Sequence, residues 1–277
     1  MNETAFETLR FELLDYGAIA RVTMSRPEVR NAQNRLMTYE LDRAFQTAAT
    51  DHRVRVIILA GDGPHFSAGH DLRDPKTHTA PPVNLVGGLG TGGAEGYMAG
   101  EEEVYVGMCR RWRELTKPTI AQVQGKTIAG GLMLMWVCDI IVASEDATFS
   151  DPTLAFGVNG VEWFCHPWEL GPRKAKEMLF TGDSFTAAEA AALGMVNRVV
   201  PRGELADATL GLARRIATKP SFALKLAKLS VNQAVDSQGF PAAQQAAFGL
   251  HHLAHATRSE TVGSERPDPQ GGSGRGA

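Results

Sequence analysis

Apolar positions along the chain switch repeatedly between a period of two and a period near 3.6. Ala18-Ile-Ala-Arg-Val-Thr-Met24 reads as a strand closed by Arg26-Pro27. From Leu36 to Asp51 the spacing turns helical, with Met37, Leu41, Ala44 and Ala48 on one face. Val54–Ala60 is a continuous apolar run, as a strand buried on both faces requires. The pattern then predicts a helix over Glu101–Leu115, a strand over Thr119–Gln124, a buried helix over Gly130–Val137 and a strand over Ile140–Ala143. Strands alternating with helices define the α/β class. From Arg173 onward the periods are mostly helical: Lys174–Phe180, Ala187–Leu193, Glu204–Lys219, Phe222–Val235 and Pro241–His255. Thr186 with Glu189 forms a capping box, and Gly194 ends that helix. Met195–Val200 is a short strand stopped by Pro201.

Two segments lack packing signals. Ser264–Ala277 is Gly, Ser, Pro and charge, the composition of a disordered tail. Asp74–Gly100 is a long Gly- and Pro-rich stretch inside the domain, expected to be a mobile wall over a ligand.

The 277 residues suffice for one large domain with an appendage, and 43% hydrophobic content can bury a core. A net charge of −3 argues against nucleic acid or an acidic membrane as partner. Cys109, Cys138 and Cys165 form no CxxC and read as reduced thiols. No apolar run is long enough for a membrane helix. Met1-Asn-Glu-Thr-Ala has no leader character, so the expected location is cytoplasmic.

The chemistry concentrates in two places. In Gly125-Lys-Thr-Ile-Ala-Gly-Gly131 a strand runs into small residues and a buried helix starts at once. The first turn of a helix offers backbone N–H groups without intrahelical partners, and glycine lets a ligand approach them. Phe66-Ser-Ala-Gly-His-Asp-Leu72 is a second such exit, after the Val54–Ala60 strand. Two N–H donors converging on one carbonyl oxygen make an oxyanion hole. Other motifs carry less. Gly88-Leu-Gly-Thr-Gly-Gly93 is a literal GxGxxG without the strand, helix and acid that a dinucleotide needs, so it reads as flexible. His251 and His255 have zinc spacing, but the sequence shows no third ligand, so no metal is expected. Ser67 lacks a nucleophile elbow and reads as structural.

The two glycine segments in this order, with Cys138-Asp-Ile-Ile-Val-Ala-Ser144 following, resemble the crotonase (enoyl-CoA hydratase/isomerase) family from about Phe6 to His255. The resemblance implies a spiral of repeated β-β-α units with a helical C-terminal region. It divides the chain into a core with the acyl-CoA site (1–200), a helical trimerisation region (201–260) and a disordered tail (261–277). It implies a thioester enolate held by the N–H groups of Ala68 and Gly130, and no cofactor beyond the coenzyme A of the substrate. Arg26 and Arg30 match the stretch beside CoA; Ala68, Gly69, His70 and Asp71 line the pantetheine and adenine side, with Asp71 also fixing the oxyanion loop. The expected assembly is a homotrimer or a dimer of trimers.

The chain departs from the hydratase pattern at both catalytic glutamates, where it has Met133 and Thr153. Neither is a general base near neutral pH. Other members of the superfamily place one carboxylate further on, where this chain has Glu162 between Val161, Trp163 and Phe164. Glu162 is therefore the candidate acid/base; the alternative is an acid favoured by a helix N-terminus. Asp151 and His166 are further candidates. The expected activity is enoyl-CoA hydratase/isomerase chemistry. A hydrolase, decarboxylase or C–C lyase of CoA thioesters, and a non-catalytic acyl-CoA-binding member, remain open.

Overall fold

The computed structural model describes residues 6–74 and 87–261, with side chains to residue 257. Its strands are β1 (Leu9–Leu14), β2 (Ile19–Met24), β3 (Val56–Gly61), β4 (Thr119–Val123), β5 (Lys126–Ile128), β6 (Ile140–Ser144), β7 (Thr148–Ser150), β8 (Phe185–Thr186) and β9 (Arg198–Val200). Its helices are α1 (Arg35–Thr50), α2 (Gly93–Glu101), α3 (Met108–Arg113), α4 (Gly130–Trp136), α5 (His166–Thr181), α6 (Ala187–Ala192), α7 (Leu205–Ala217), α8 (Ser221–Ser237) and α9 (Phe240–Thr261).

Six strands form one sheet in the order β1-β2-β3-β4-β6-β9; β1 pairs antiparallel with β2 and the remaining pairs are parallel. A smaller sheet, β5-β7-β8, is built of strands of two or three residues. Isolated parallel bridges Gln33–His70 and Ser67–Thr127 continue it. Successive turns therefore run from the large sheet, through one rung of the small sheet, into a helix: β3, Ser67, then α2–α3; β4, β5, then α4; β6, β7, then α5. This is the β-β-α spiral of the crotonase fold.

The continuous apolar run of β3 has its explanation in two cores. Ile57 and Leu59 join Ala20, Val22, Ala121 and Val123 beneath α1, α3 and α4. Val56 and Ile58 join Ile19, Ile120 and Val142 against Leu205, Leu212 and Ala213 of α7. Asn34 caps α1 by accepting the Met37 N–H at 2.9 Å, and the Thr186–Glu189 capping box is formed as expected. None of the described helices is long and apolar enough to cross a membrane.

Part of the stretch expected to be a mobile wall is helical. Residues 93–100 belong to α2, which runs through a π-helical stretch, Glu102–Gly107, into α3. Three glycines give α2 little intrinsic propensity, but Met98 packs on the main core and Tyr97 meets His255 edge-on at 4.9 Å. Residues 75–86 of that stretch and the tail from 262 lie outside the described residues.

Candidate active site

The two glycine segments touch backbone to backbone. Ile128 N–H donates to Ser67 O at 3.0 Å, and the Gln33 amide donates to Gly130 O at 2.8 Å. Gly69 has φ +85°, and a Cβ there would lie 2.7 Å from Ile128 O and 2.9 Å from Gly130 N. Only glycine allows that approach. Ala129 takes φ 47° and ψ −115°, which turns the chain sharply into α4 and leaves Gly130 as its first residue. Ser67 is fully buried; its hydroxyl donates to Asn31 O at 2.8 Å and accepts the Gly69 N–H at 3.2 Å, a structural role.

The donor opposite Gly130 is not the expected one. Ala68 N–H is committed to Arg30 O at 2.9 Å. The backbone nitrogen that reaches Gly130 is that of His70, which would lie 3.3 Å from a Cβ at Gly130. The left-handed Gly69, at φ +85°, explains the shift. Ala68 N–H is spent on Arg30 O and Gly69 O accepts from Gln33 N–H; past the turn at Gly69 the His70 amide lies toward Gly130.

Arg26 is also reassigned. Its guanidinium donates to Ala32 O at 2.6 Å and pairs with Asp71 at 3.0 Å, so it braces the loop instead of facing a ligand. Asp71 also accepts the Arg73 N–H at 3.0 Å, which fits its expected role in fixing the loop. Arg30 is exposed and, with Lys126 and Arg202, helps depress the pKa of His65, whose burial is the larger cause.

Asp151 is fully buried and tied to His166 Nε2 at 2.8 Å, to Thr153 N–H at 3.1 Å and to Val161 N–H at 3.2 Å. Burial alone would raise its pKa; the His166 bond and charge outweigh burial and hold it below the usual range. Both side chains of this pair are fully buried and bonded to each other. The pair pins the loop that carries Glu162.

Glu162 itself is 4% exposed. It lies in that loop, four residues before α5 begins at His166, so it is not a helix N-terminal acid. Gln244 of α9 holds its carbonyl at 2.8 Å. Its carboxylate stands 3.7 Å from His70 Nε2 and 3.8 Å from His251 Nε2. The His70 ring stacks on Tyr105 at 4.0 Å. The Tyr105 hydroxyl is pushed well above its ordinary pKa, by burial first and by the Glu162 charge second. The structure thus gathers His70, Tyr105, Glu162 and Gly130 at one place, while Met133 is buried in the core.

Sequence reasoning missed the wall behind Glu162. Glu101 at the end of α2 meets three histidines of α9: His252 at 3.2 Å, His251 at 3.6 Å and His255 at 3.9 Å. Burial acts to raise the Glu101 pKa, but the contact with His252 and the charges of His251 and His255 leave it lowered. Burial lowers the His251 pKa. Only the His251–His255 spacing was visible in sequence; Glu101 is distant along the chain.

The comparisons agree with this architecture. The sequence model of the family described as enoyl-CoA hydratase/isomerase matches residues 15–85 and 88–267. A Mycobacterium tuberculosis protein with the provisional name enoyl-CoA hydratase EchA13 is 49% identical over 94% of this chain and 84% of its own length. The solved structure of a provisionally named enoyl-CoA hydratase from Mycobacterium thermoresistibile superimposes with a TM-score of 0.84 at 47% identity, covering 92% of this chain and 99% of that one. An enoyl-CoA hydratase/isomerase from Xanthobacter autotrophicus Py2 gives 0.79 at 32% identity, over 90% and 88%. The chain belongs to the enoyl-CoA hydratase/isomerase family, the crotonase superfamily.

Proposed function

We propose that this chain is an acyl-CoA enzyme that enolises an enoyl thioester and shifts its double bond, with Glu162 as the single proton carrier. The thioester oxygen sits at the start of α4, between the N–H groups of Gly130 and His70. Fixed donors there stabilise the enolate oxygen by roughly 3 kcal/mol each. Glu162 takes a proton from one carbon of the acyl chain. The electron pair moves into the thioester carbonyl, and the enolate takes the proton back at the carbon two positions away. Nothing is consumed, so one carboxylate suffices. Hydration would need a second group to hold and activate water, and the two positions that supply it elsewhere in the family are Met133 and Thr153. Exposed Arg30, which with Lys126 bears on His65, supplies a positive charge that suits the phosphates of coenzyme A.

The observation that carries this reading is a buried carboxylate 3.7 Å from the ring of the residue whose amide faces Gly130. The test is exchange of acyl protons with D2O in 2- and 3-enoyl-CoA esters, alongside the double-bond shift, in the parent and in Glu162→Gln. The parent should exchange and isomerise; the variant should lose both by about a hundredfold or more, with KM little changed. An ester that binds without exchange or turnover in the parent would make the chain a binding member of the family. Normal exchange in the variant would remove Glu162 from the mechanism.

A further inference from the structure

The cluster behind Glu162 has the donor set of a metal centre. Glu101, His251 and His255 each direct one ligand atom into a common space, all within 4.8 Å of one another. The Nε2 atoms of His251 and His255 are 2.9 Å apart, and Oε2 of Glu101 is 3.6 Å and 3.9 Å from them. A point equidistant from the three corners of that triangle lies about 2.0 Å from each, the bond length of zinc to imidazole or carboxylate.

Two independent features distinguish the cluster from an ordinary ion pair. Glu101 is 9% exposed, and its Oε2, shielded from solvent, faces three imidazoles, those of His252 at 3.2 Å, His251 at 3.6 Å and His255 at 3.9 Å. His251 is held from behind: its Nδ1 donates to Gly160 O at 2.9 Å, which fixes the tautomer whose Nε2 lone pair accepts from His255 Nε2 in the ion-free cluster and would turn to a metal when His255 gives up that proton. A backbone carbonyl on the far nitrogen is the support that metal-bound histidines have. The three donors sit on helices: His251 and His255 are one turn apart on α9, and Glu101 closes α2.

We propose that Glu101, His251 and His255 bind one divalent transition-metal ion of the zinc class, with His252 lining the site. Two imidazoles and a carboxylate suit zinc or ferrous iron and leave positions open. Glu162 Oε1, 3.8 Å from His251 Nε2, borders the site, so a bound ion would place a fixed positive charge beside that carboxylate. This assignment stands on the donor geometry alone and does not depend on the enolate reading.

The test uses the full chain without a histidine tag, stripped with chelator. Zinc(II) is titrated by calorimetry, and cobalt(II) by its visible absorption. The expected result is one equivalent of zinc with a Kd of about 1 µM or tighter, and a cobalt spectrum of low coordination number. Glu101→Gln and His255→Ala should each weaken binding by at least about tenfold. His255 sits near the described end of α9, so its variant keeps the test valid if Glu101→Gln does not fold. His52→Ala, on an exposed histidine away from the cluster, should bind like the parent. Substoichiometric or weaker binding by the parent, or parent-like binding by both cluster variants, would overturn the site.

Discussion

Gly69 and Gly130 are in backbone contact: the space for a Cβ on Gly69 ends 2.9 Å from the Gly130 nitrogen. That nitrogen is the first amide of α4, so the contact joins two strand exits into one pocket. Gly69→Ala should therefore be far worse than an ordinary glycine substitution. The added methyl would also meet Ile128 O at 2.7 Å, and backbone cannot yield as a side chain tip can. Gly157 is the internal control, with φ +79° and nothing within 4 Å of its Cβ position. Gly157→Ala should cost only the left-handed conformation, about 1 kcal/mol. Gly69→Ala should cost at least about 3 kcal/mol and abolish turnover. Urea midpoints for both variants check this; equal losses would mean that the two segments separate easily.

The fold was legible in the sequence because burial and pleat write it directly. Ile57 and Leu59 face one core while Val56 and Ile58 face the other, and an unbroken apolar run is the trace of that arrangement. β1 and the rungs of the small sheet were missed; β5, β7 and β8 are three residues or fewer, too short to show a period. In the site, the glycine segments were legible and the donor was not. Ala68 and His70 flank Gly69, whose φ of +85° turns the chain between them, and the sequence does not show that the Ala68 amide is spent on Arg30. Glu101 could not be found by spacing, because α2 and α9 meet only through the tertiary fold.

Ala129 stores strain in the turn that presents Gly130. Its φ of 47° with ψ −115° is a region that suits glycine. Such a conformation costs roughly 1–3 kcal/mol in a residue with a Cβ. Ala129→Gly relieves it and loses about 0.5–1 kcal/mol through the freer unfolded chain. The variant should match or exceed the parent in stability, where an ordinary Ala→Gly change is destabilising. Ala129→Val should be clearly less stable, since β-branching tolerates positive φ least. Chemical denaturation of the three proteins decides it; a marked loss in Ala129→Gly would show that the turn carries no strain.

Glu169 gives the protein a pH dependence that lies outside the candidate site. It is half-buried on α5, at a cavity of about 460 Å³ that it shares with Arg113, Trp168 and Phe240. Burial pushes its carboxyl up to about 7, against the opposing charge of Arg113. A carboxyl whose folded pKa lies above its unfolded one binds its proton more tightly in the native state. Its contribution favours folding at low pH and is lost as pH rises from the ordinary carboxylate range through about 7. Glu169→Gln keeps the shape and removes the titration. The variant should therefore gain stability relative to the parent on going from about pH 5 to about pH 8, with the change centred between the unfolded and folded pKa values. Urea midpoints of both proteins across that range give the difference curve. A flat curve would mean that Arg113 holds the Glu169 carboxylate ionised throughout; a curve of opposite sign would mean that its folded pKa is lowered.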